Sequence, residues 1–125
     1  MRLRSLFAGL GLVMLLSACA HVPARETKPS GVRAMTFNIR LDTASDGANA
    51  WSYRQDMVAQ MIAYFAPDIV GMQEVLLNQK RDLEAGLPGY AFAGVARDDG
   101  ATEGEFSPLA WKTARWSALE SGTFW

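Results

Sequence analysis

Cysteine, histidine, positive charge and long hydrophobic runs are all scarce in this 125-residue sequence. Its single cysteine, Cys19, excludes an internal disulfide. Its single histidine, His21, lies two residues away without neighbouring ligands, which favours a solvated residue over a catalytic one. No hydrophobic run reaches the roughly 20 residues that a membrane-spanning helix needs. With 50% hydrophobic and 20% charged residues, the composition is that of one globular domain at most.

The charge balance is slightly acidic. Lysine and arginine number 12 against 13 acidic residues, for a net charge of −1. Residues 1–18 hold two of the cations and no acid, so the remainder carries ten cations against thirteen acids, or −3. Nucleic-acid binding depends on clustered basic residues, so the charge leaves a nucleic-acid partner open without favouring it. A polyanion would have to be neutralised by a metal ion or by a few local cations.

The N-terminal residues have the layout of an export signal. A start with two arginines precedes an apolar run from Leu6 to Leu16, which ends in Leu16-Ser17-Ala18-Cys19. This ending resembles the lipobox of bacterial lipoproteins. We therefore expect residues 1–18 to be a signal peptide and Cys19 to become a lipidated N-terminus, whose several acyl chains anchor the protein stably. An ordinary secretory signal and a short buried helix are the alternatives.

Residues 19–31 contain two prolines and several charged residues without an apolar period, as is typical of a flexible tether. Ala20, rather than an acidic residue, follows the cysteine. By analogy with lipoproteins this predicts the outer membrane of the bacterial cell envelope, with the domain facing the periplasm. Residues 32–125 then form a partial domain.

The sequence pattern of the first half of that domain predicts a β-α-β unit. A strand over Val32–Arg40 is followed by a turn-rich loop, and a second strand covers Asp68–Glu74. Ser52 and Gln55 make a capping-box pattern at the start of the intervening helix, which Pro67 ends. The helix carries a single apolar stripe, formed by Met57, Val58, Met61, Ile62 and Phe65.

The sequence pattern of the second half of the domain predicts one helix and then only strands. The helix runs from Leu77 to Ala85, and the strands cover Tyr90–Arg97, Ser107–Trp111 and Trp116–Trp125. This order predicts an α/β fold with a mixed sheet and helices on one face. The other face needs a cover that these elements do not supply. We therefore expect either that the sequence is truncated or that a second sheet is missing.

The candidate residues for binding a phosphate and a metal ion are Asn38 and Glu74, which are predicted at the ends of the first two strands. Taken singly, Asn38 suits a turn and Glu74 suits a solvated strand end. Together they suit a phosphate and a hard metal, because Mg²⁺ uses one or two carboxylates with water and substrate oxygens. The amide of Asn38 can donate to a phosphoryl oxygen without adding negative charge.

Two ordered motifs, Thr36-Phe37-Asn38-Ile39-Arg40 and Pro67-Asp68-Ile69-Val70-Gly71-Met72-Gln73-Glu74, resemble the endonuclease/exonuclease/phosphatase superfamily, which has the DNase I-like fold. Further segments look like an uncharacterised bacterial branch: Asp46-Gly47, Asn49-Ala50-Trp51, Arg54, Leu87-Pro88-Gly89-Tyr90, Gly94 to Gly100, Gly104 to Pro108, and Ser121 to Trp125. The resemblance implies a four-layer α/β/β/α sandwich that hydrolyses phosphodiesters or phosphomonoesters with Mg²⁺ or Mn²⁺.

The resemblance also implies roles for individual residues. Asn38 would orient the phosphate, and Glu74 would bind the divalent cation. Glu105 and Ser107 lie where the family brings another strand past the site, and both are expected near the substrate. Arg97 is a further candidate for phosphate contact, with pairing to a neighbouring aspartate as the simpler interpretation. The substrate stays open among nucleic acids, inositol phosphates, phospholipid headgroups and other phosphoesters.

The sequence departs from the family in one respect. It contains no Asp-x-Asn triplet and no histidine after His21, whereas the family supplies both from its second half. We therefore expect negligible hydrolysis by the 125-residue chain alone. The alternative to a metal-dependent phosphoester hydrolase is a non-catalytic, membrane-anchored binding lipoprotein. A carbohydrate platform built on the tryptophans fits less well than tryptophans in a core.

Overall fold

The computed structural model of the chain describes residues 31–124. The predicted signal peptide, Cys19 and nearly all of the tether lie outside these residues. The elements are β1 (Ala34–Asn38), a 3-10 helical segment (Ala44–Asn49), α1 (Trp51–Phe65), β2 (Ile69–Gln73), α2 (Leu77–Gly86), β3 (Tyr90–Ala93) and β4 (Leu109–Lys112).

The four strands form one mixed sheet in the order β1-β2-β4-β3. β1 and β2 are parallel, as the intervening α1 requires, and β4 is antiparallel to both of its neighbours. The α/β class, the mixed sheet and the β-α-β unit predicted from the sequence are confirmed.

Every second residue of β2 faces the two helices. Val70 and Met72 are buried, and Ala110 of β4 lies opposite Val70 in the ladder. Apolar side chains of both helices join them in one core cluster. Because side chains alternate across a strand, Leu109 points the other way and is 47% exposed. The helices therefore cover one face of the sheet, and the other is largely open among residues 31–124.

The start of α1 differs from the prediction. The helix begins at Trp51, after Ala50, without a side-chain cap, so Ser52 is inside the helix and does not cap it. The indole of Trp51 is buried, and its Nε1 donates to Asp82 Oδ2 of α2 at 2.7 Å. This contact between two helices holds Trp51 in the first turn, and a local capping pattern carries no information about it.

Only the centre of the predicted apolar stripe on α1 is buried. Val58 and Ile62 are in the core, whereas Met57 and Phe65 are more than half exposed. Successive helix residues are about 100° apart around the axis, so a stripe that includes both Met57 and Val58 is wider than the strip that contacts the sheet. The helix ends at Phe65 before Pro67, as predicted.

β3 ends at Ala93, four residues earlier than predicted. Gly94 has φ of +133°, and a Cβ on it would lie 3.0 Å from the Cα of Pro108. The chain turns out of the sheet there, because the close approach to Pro108 requires a glycine in a non-extended conformation. Beyond Ala93, Ala96 forms an isolated antiparallel bridge with Phe106, which lies outside the four strands.

β1 and β4 are also shorter than predicted. β4 begins at Leu109, since Pro108 has no N–H to donate to a ladder. β1 ends at Asn38, and Arg40 has left the extended conformation with φ of +60°. These shifts move no functional side chain to another face of the sheet.

The last predicted strand is wrong for the residues that the structure describes, because Trp116 to Phe124 form no strand. β4, the strand that precedes the segment, is already paired on both sides, and the segment pairs with neither of the two edge strands, β1 and β3. The segment instead borders the open face of the sheet. There it lines, together with Trp111, a largely apolar groove of about 800 Å³ that is open to solvent. Within residues 31–124, neither helix has the length and apolar character that crossing a bilayer requires.

Candidate active site at the carboxyl ends of the parallel strands

Asn38 and Glu74 meet at one edge of the sheet. β1 and β2 are parallel, and Asn38 is in register with Gln73, so Glu74 follows at the same edge. The Asn38 Nδ2 donates to Glu74 Oε1 at 2.7 Å across 36 residues of sequence. The structure thus brings together the two residues that the sequence singled out, while their chemical roles remain a prediction.

Glu74 is held in a charged state by its neighbours. Its second oxygen, Oε2, accepts a hydrogen bond from the backbone N–H of Leu41 at 3.2 Å. The bond from Asn38, and then that from Leu41, hold the pKa of the Glu74 carboxyl below its ordinary value. Glu74 is therefore an ionised carboxylate at neutral pH.

The backbone at Glu74 is unusual, with φ of +59° in the left-handed region. Residues other than glycine adopt this region at a cost of about 1 kcal/mol or more, and such residues concentrate at functional sites. The turn directs the carboxylate off the end of β2 instead of along the strand. Arg40, two residues after Asn38, shares this left-handed conformation.

Arg40 fixes the amide of Asn38. Its backbone N–H donates to Asn38 Oδ1 at 2.9 Å, so the Asn38 Nδ2 must face Glu74. The Arg40 guanidinium in turn donates from Nε and Nη2 to both oxygens of Asp46, at 2.8 and 2.6 Å. The bond to Asp46 raises the pKa of Arg40 above its ordinary value. Sequence reasoning missed this pair, although both residues fall within the motifs that carried the resemblance.

The side chains of Arg54 and Gln79 hold the loop that follows β1. The guanidinium of Arg54 donates to the carbonyl oxygens of Ile39, Arg40, Leu41 and Asn49. Gln79 of α2 donates from Nε2 to Arg40 O at 2.9 Å, and its Oε1 accepts from Asp42 N at 3.1 Å. The N–H of Leu41 that reaches Glu74 is therefore held from both sides.

Glu105 and Ser107 lie on either side of Phe106, next to the end of β2. Phe106 between them pairs with Val75, through a 2.7 Å bond from its N–H to Val75 O. The pairing places Glu105 and Ser107 next to the end of β2, with Ser107 exposed and Glu105 half-buried. Their predicted part in substrate contact is untested by this arrangement.

Arg97 pairs with acidic neighbours. Its guanidinium lies 3.3 Å from Glu105 and 3.5 Å from Asp98, in keeping with the simpler of its two interpretations. Asp99 instead accepts the backbone N–H groups of residues 101–103, which lowers the pKa of its carboxyl. Contact of Arg97 with phosphate stays a prediction.

The carboxylate oxygens of Glu74 suit one or two of the ligand positions around a hard cation. Glu74 is an ionised carboxylate, and each of its oxygens keeps a lone pair beyond the bonds from Asn38 and Leu41. Within residues 31–124 no group of three or more histidine, cysteine, aspartate or glutamate side chains could hold a metal ion. A Mg²⁺ or Mn²⁺ ion that takes most of its ligands from water and substrate needs only one or two carboxylates from the protein.

Known proteins match this chain across the strands that carry the site. The model of the Endonuclease/Exonuclease/phosphatase family matches residues 35–121. An endonuclease/exonuclease/phosphatase structure from Bacteroides vulgatus is 54% identical, with a TM-score of 0.74 over 75% of this chain and 36% of that chain. A mannosyl-6-phosphatase from Bacteroides thetaiotaomicron is 37% identical, with a TM-score of 0.71 over 74% of this chain and 35% of that chain.

An uncharacterised Caenorhabditis elegans protein is 35% identical over 89 residues, which are 71% of this chain and 26% of that protein. The chain thus spans about a third of the two solved structures and a quarter of the worm protein. The family match covers well over half of the chain and includes both Asn38 and Glu74. The chain therefore belongs to the endonuclease/exonuclease/phosphatase family.

Proposed function

We propose that this chain carries the Asn38–Glu74 portion of a metal-dependent phosphoester hydrolase. The observation that carries the proposal is the 2.7 Å hydrogen bond between the Asn38 amide and an ionised Glu74 at the carboxyl edge of two parallel strands. Family membership supports phosphoester hydrolysis, and a similar structure named as a mannosyl-6-phosphatase supports a phosphatase among the possible activities.

In this proposal Glu74 holds a Mg²⁺ or Mn²⁺ ion. The bound cation would offset the negative charge of the phosphoryl oxygens and make water more acidic. Asn38 has two N–H groups on Nδ2, and Glu74 takes one of them. The other can donate to a phosphoryl oxygen, and the Arg40 N–H keeps the amide in that orientation.

The residues of this chain supply only part of the chemistry. It has no Asp-x-Asn triplet and no histidine beyond His21, so we expect negligible hydrolysis by these 125 residues alone. We also propose that Cys19 is lipidated and anchors the protein in the bacterial outer membrane. The substrate within the phosphoester class is left open by Asn38 and Glu74 themselves.

A non-catalytic binding lipoprotein is the second candidate. The exposed apolar residues at the open sheet face, Leu109 on β4 and Trp116 in the segment that borders the face, favour it, because large apolar patches usually mark an interface. This candidate predicts that the Asn38–Glu74 pair has only a structural role. Metal binding and hydrolysis therefore distinguish the two.

The test is a titration with Mn²⁺, followed by electron paramagnetic resonance, of the protein as its own gene encodes it and its own cell makes it (the full-length protein), together with hydrolysis of p-nitrophenyl phosphate by that same protein. The expectation of negligible hydrolysis applies to the 125 residues alone. Glu74→Gln removes one charge and one hard ligand, so we expect at least a tenfold weaker Mn²⁺ affinity and loss of hydrolysis. Glu84→Gln, at an exposed site on α2, makes the same charge change and serves as the control. Equal Mn²⁺ affinity in wild type and Glu74→Gln would reject the metal role.

A further inference from the structure

Arg40 is an exposed cation that a buried anion holds in place. Its side chain is 63% exposed, whereas that of its partner Asp46 is only 2% exposed. Two bonds, from Nε at 2.8 Å and from Nη2 at 2.6 Å, fix the plane of the guanidinium. Arginine on a surface is ordinarily mobile, so this two-point attachment is a form of preorganisation.

The guanidinium keeps donors for a ligand. Arginine has five N–H groups, and the two bonds to Asp46 use two of them. Among residues 31–124, Nη1 of Arg40 donates to no protein acceptor. These remaining N–H groups form a fork that suits two oxygens of one phosphate.

The backbone of Arg40 ties this cation to Asn38 and Glu74. Its N–H bonds to Asn38, and its carbonyl accepts from both Arg54 and Gln79. The residue is held at φ of +60°, which is unfavourable for a side chain other than glycine. The positive charge of Arg40 is also close enough to favour the charged form of Glu74.

We propose that Arg40 binds the phosphate of the substrate and favours phosphomonoesters over phosphodiesters, with Asp46 as its positioning residue. This inference rests on the proposed function, since it assigns the substrate class of the same site. A monoester phosphate carries up to two negative charges on three terminal oxygens, whereas a diester carries one charge on two. An added fixed cation with paired donors therefore gains more from the monoester.

The alternative is that the Arg40–Asp46 pair only closes the loop between β1 and α1. A structural pair of this kind would change stability and would affect all substrates alike. A residue that contacts the ligand changes the ratio of the kcat/KM values for two substrates that differ in charge. The test therefore compares phenyl phosphate with methyl phenyl phosphate in the full-length protein with Mn²⁺.

Arg40→Gln is expected to lower kcat/KM for phenyl phosphate by roughly ten- to a hundredfold, the loss typical of a charged hydrogen bond. For methyl phenyl phosphate we expect a loss several times smaller than that for phenyl phosphate, because its phosphate carries one negative charge instead of up to two. Arg40→Lys retains charge without the fork and should fall between wild type and Arg40→Gln. Asp46→Asn should raise KM for phenyl phosphate more than it lowers kcat.

Arg81→Gln is the matched control. Arg81 is an exposed arginine on α2, and its change to glutamine removes the same charge without touching Asp46. We expect the ratio between the two substrates to stay within twofold of wild type in this variant. A similar change in that ratio in Arg81→Gln and Arg40→Gln would mean that net charge alone is responsible, and would overturn the assignment.

A second measurement separates this inference from the metal proposal. Binding of inorganic phosphate is followed by ³¹P NMR without any metal, so Glu74 has no cation to hold. Wild type that binds phosphate, with at least tenfold weaker binding in Arg40→Gln, supports Arg40 even if Mn²⁺ binding fails. Equal losses for both esters, or unchanged phosphate binding in Arg40→Gln, would refute the role of Arg40 while leaving Glu74 and the metal intact.

Discussion

Gln79 offers the sharpest test of how the loop after β1 is held. It is 0% exposed, and its side chain makes three hydrogen bonds to backbone groups. Oε1 accepts from Leu76 N at 3.0 Å and Asp42 N at 3.1 Å, while Nε2 donates to Arg40 O at 2.9 Å. The substitution Gln79→Leu nearly keeps the volume of the side chain and removes the hydrogen bonds to all three backbone groups.

The expected cost follows from these bonds. Each typical hydrogen bond contributes about 1 kcal/mol net, and a buried group left without a partner costs about 1–3 kcal/mol. Arg40 and Asp42 lie near solvent, so water recovers part of the loss at two of the three groups. Burial of the leucine side chain returns about 1.5–3 kcal/mol. We therefore expect Gln79→Leu to lower the free energy of unfolding by about 2–3 kcal/mol.

The assay is urea unfolding followed by tryptophan fluorescence. With a slope of about 1–1.5 kcal/mol per molar urea, the midpoint should fall by about 2 M. Gln60→Leu, on the exposed side of α1, is the matched control and should change the free energy by less than about 0.5 kcal/mol. A loss below about 1 kcal/mol for Gln79→Leu would mean that the three bonds are not formed together. Mn²⁺ affinity should weaken in the same variant, since Leu41 between Arg40 and Asp42 donates to Glu74.

Three further outcomes are expected. Asp68 is buried, and the hydrogen bond from Arg33 N and then the charge of Arg115 hold the pKa of its carboxyl below its ordinary value. Its contribution to stability is present above about pH 4 and is lost as pH falls through the lowered pKa, so Asp68→Asn should flatten the acid limb of a urea stability profile. Cys19→Ser should abolish incorporation of labelled palmitate and release the protein from membranes, and unchanged labelling would reject the lipid anchor. Trp51→Phe loses the bond to Asp82 and should lower Tm by about 5–10 °C, measured by circular dichroism.

The β-α-β unit could be predicted because its signals are local. Alternating and short apolar runs indicate the strands, a one-sided stripe indicates the helix, and Pro67 ends it. Parallel strands place their carboxyl ends at one edge, so the closeness of Asn38 and Glu74 follows from the topology alone. The open second face of the sheet also followed from counting the apolar faces that the helices can cover.

The hydrogen bonds that hold the loop around the site could not be predicted from the sequence in the same way. Gln79 lies 39 residues from Arg40, and no local pattern distinguishes it from the exposed Gln60 on α1. Likewise, the contact of Trp51 with Asp82 decides where α1 begins and overrides the capping pattern of Ser52. The C-terminal apolar residues were expected in a strand, because an apolar run does not reveal whether a partner strand is free.

By itself, then, the sequence determined the order of the elements, the helix-covered face of the sheet and the edge at which an amide and a carboxylate meet. These depend on side-chain periodicity and on chain breakers, which act over a few residues. Only the tertiary structure decided that Arg40 and Glu74 take left-handed backbone conformations and that Asp46 holds an exposed guanidinium beside them. Such details arise from hydrogen bonds between distant segments, whose geometry exists only once the sheet and the helices have packed.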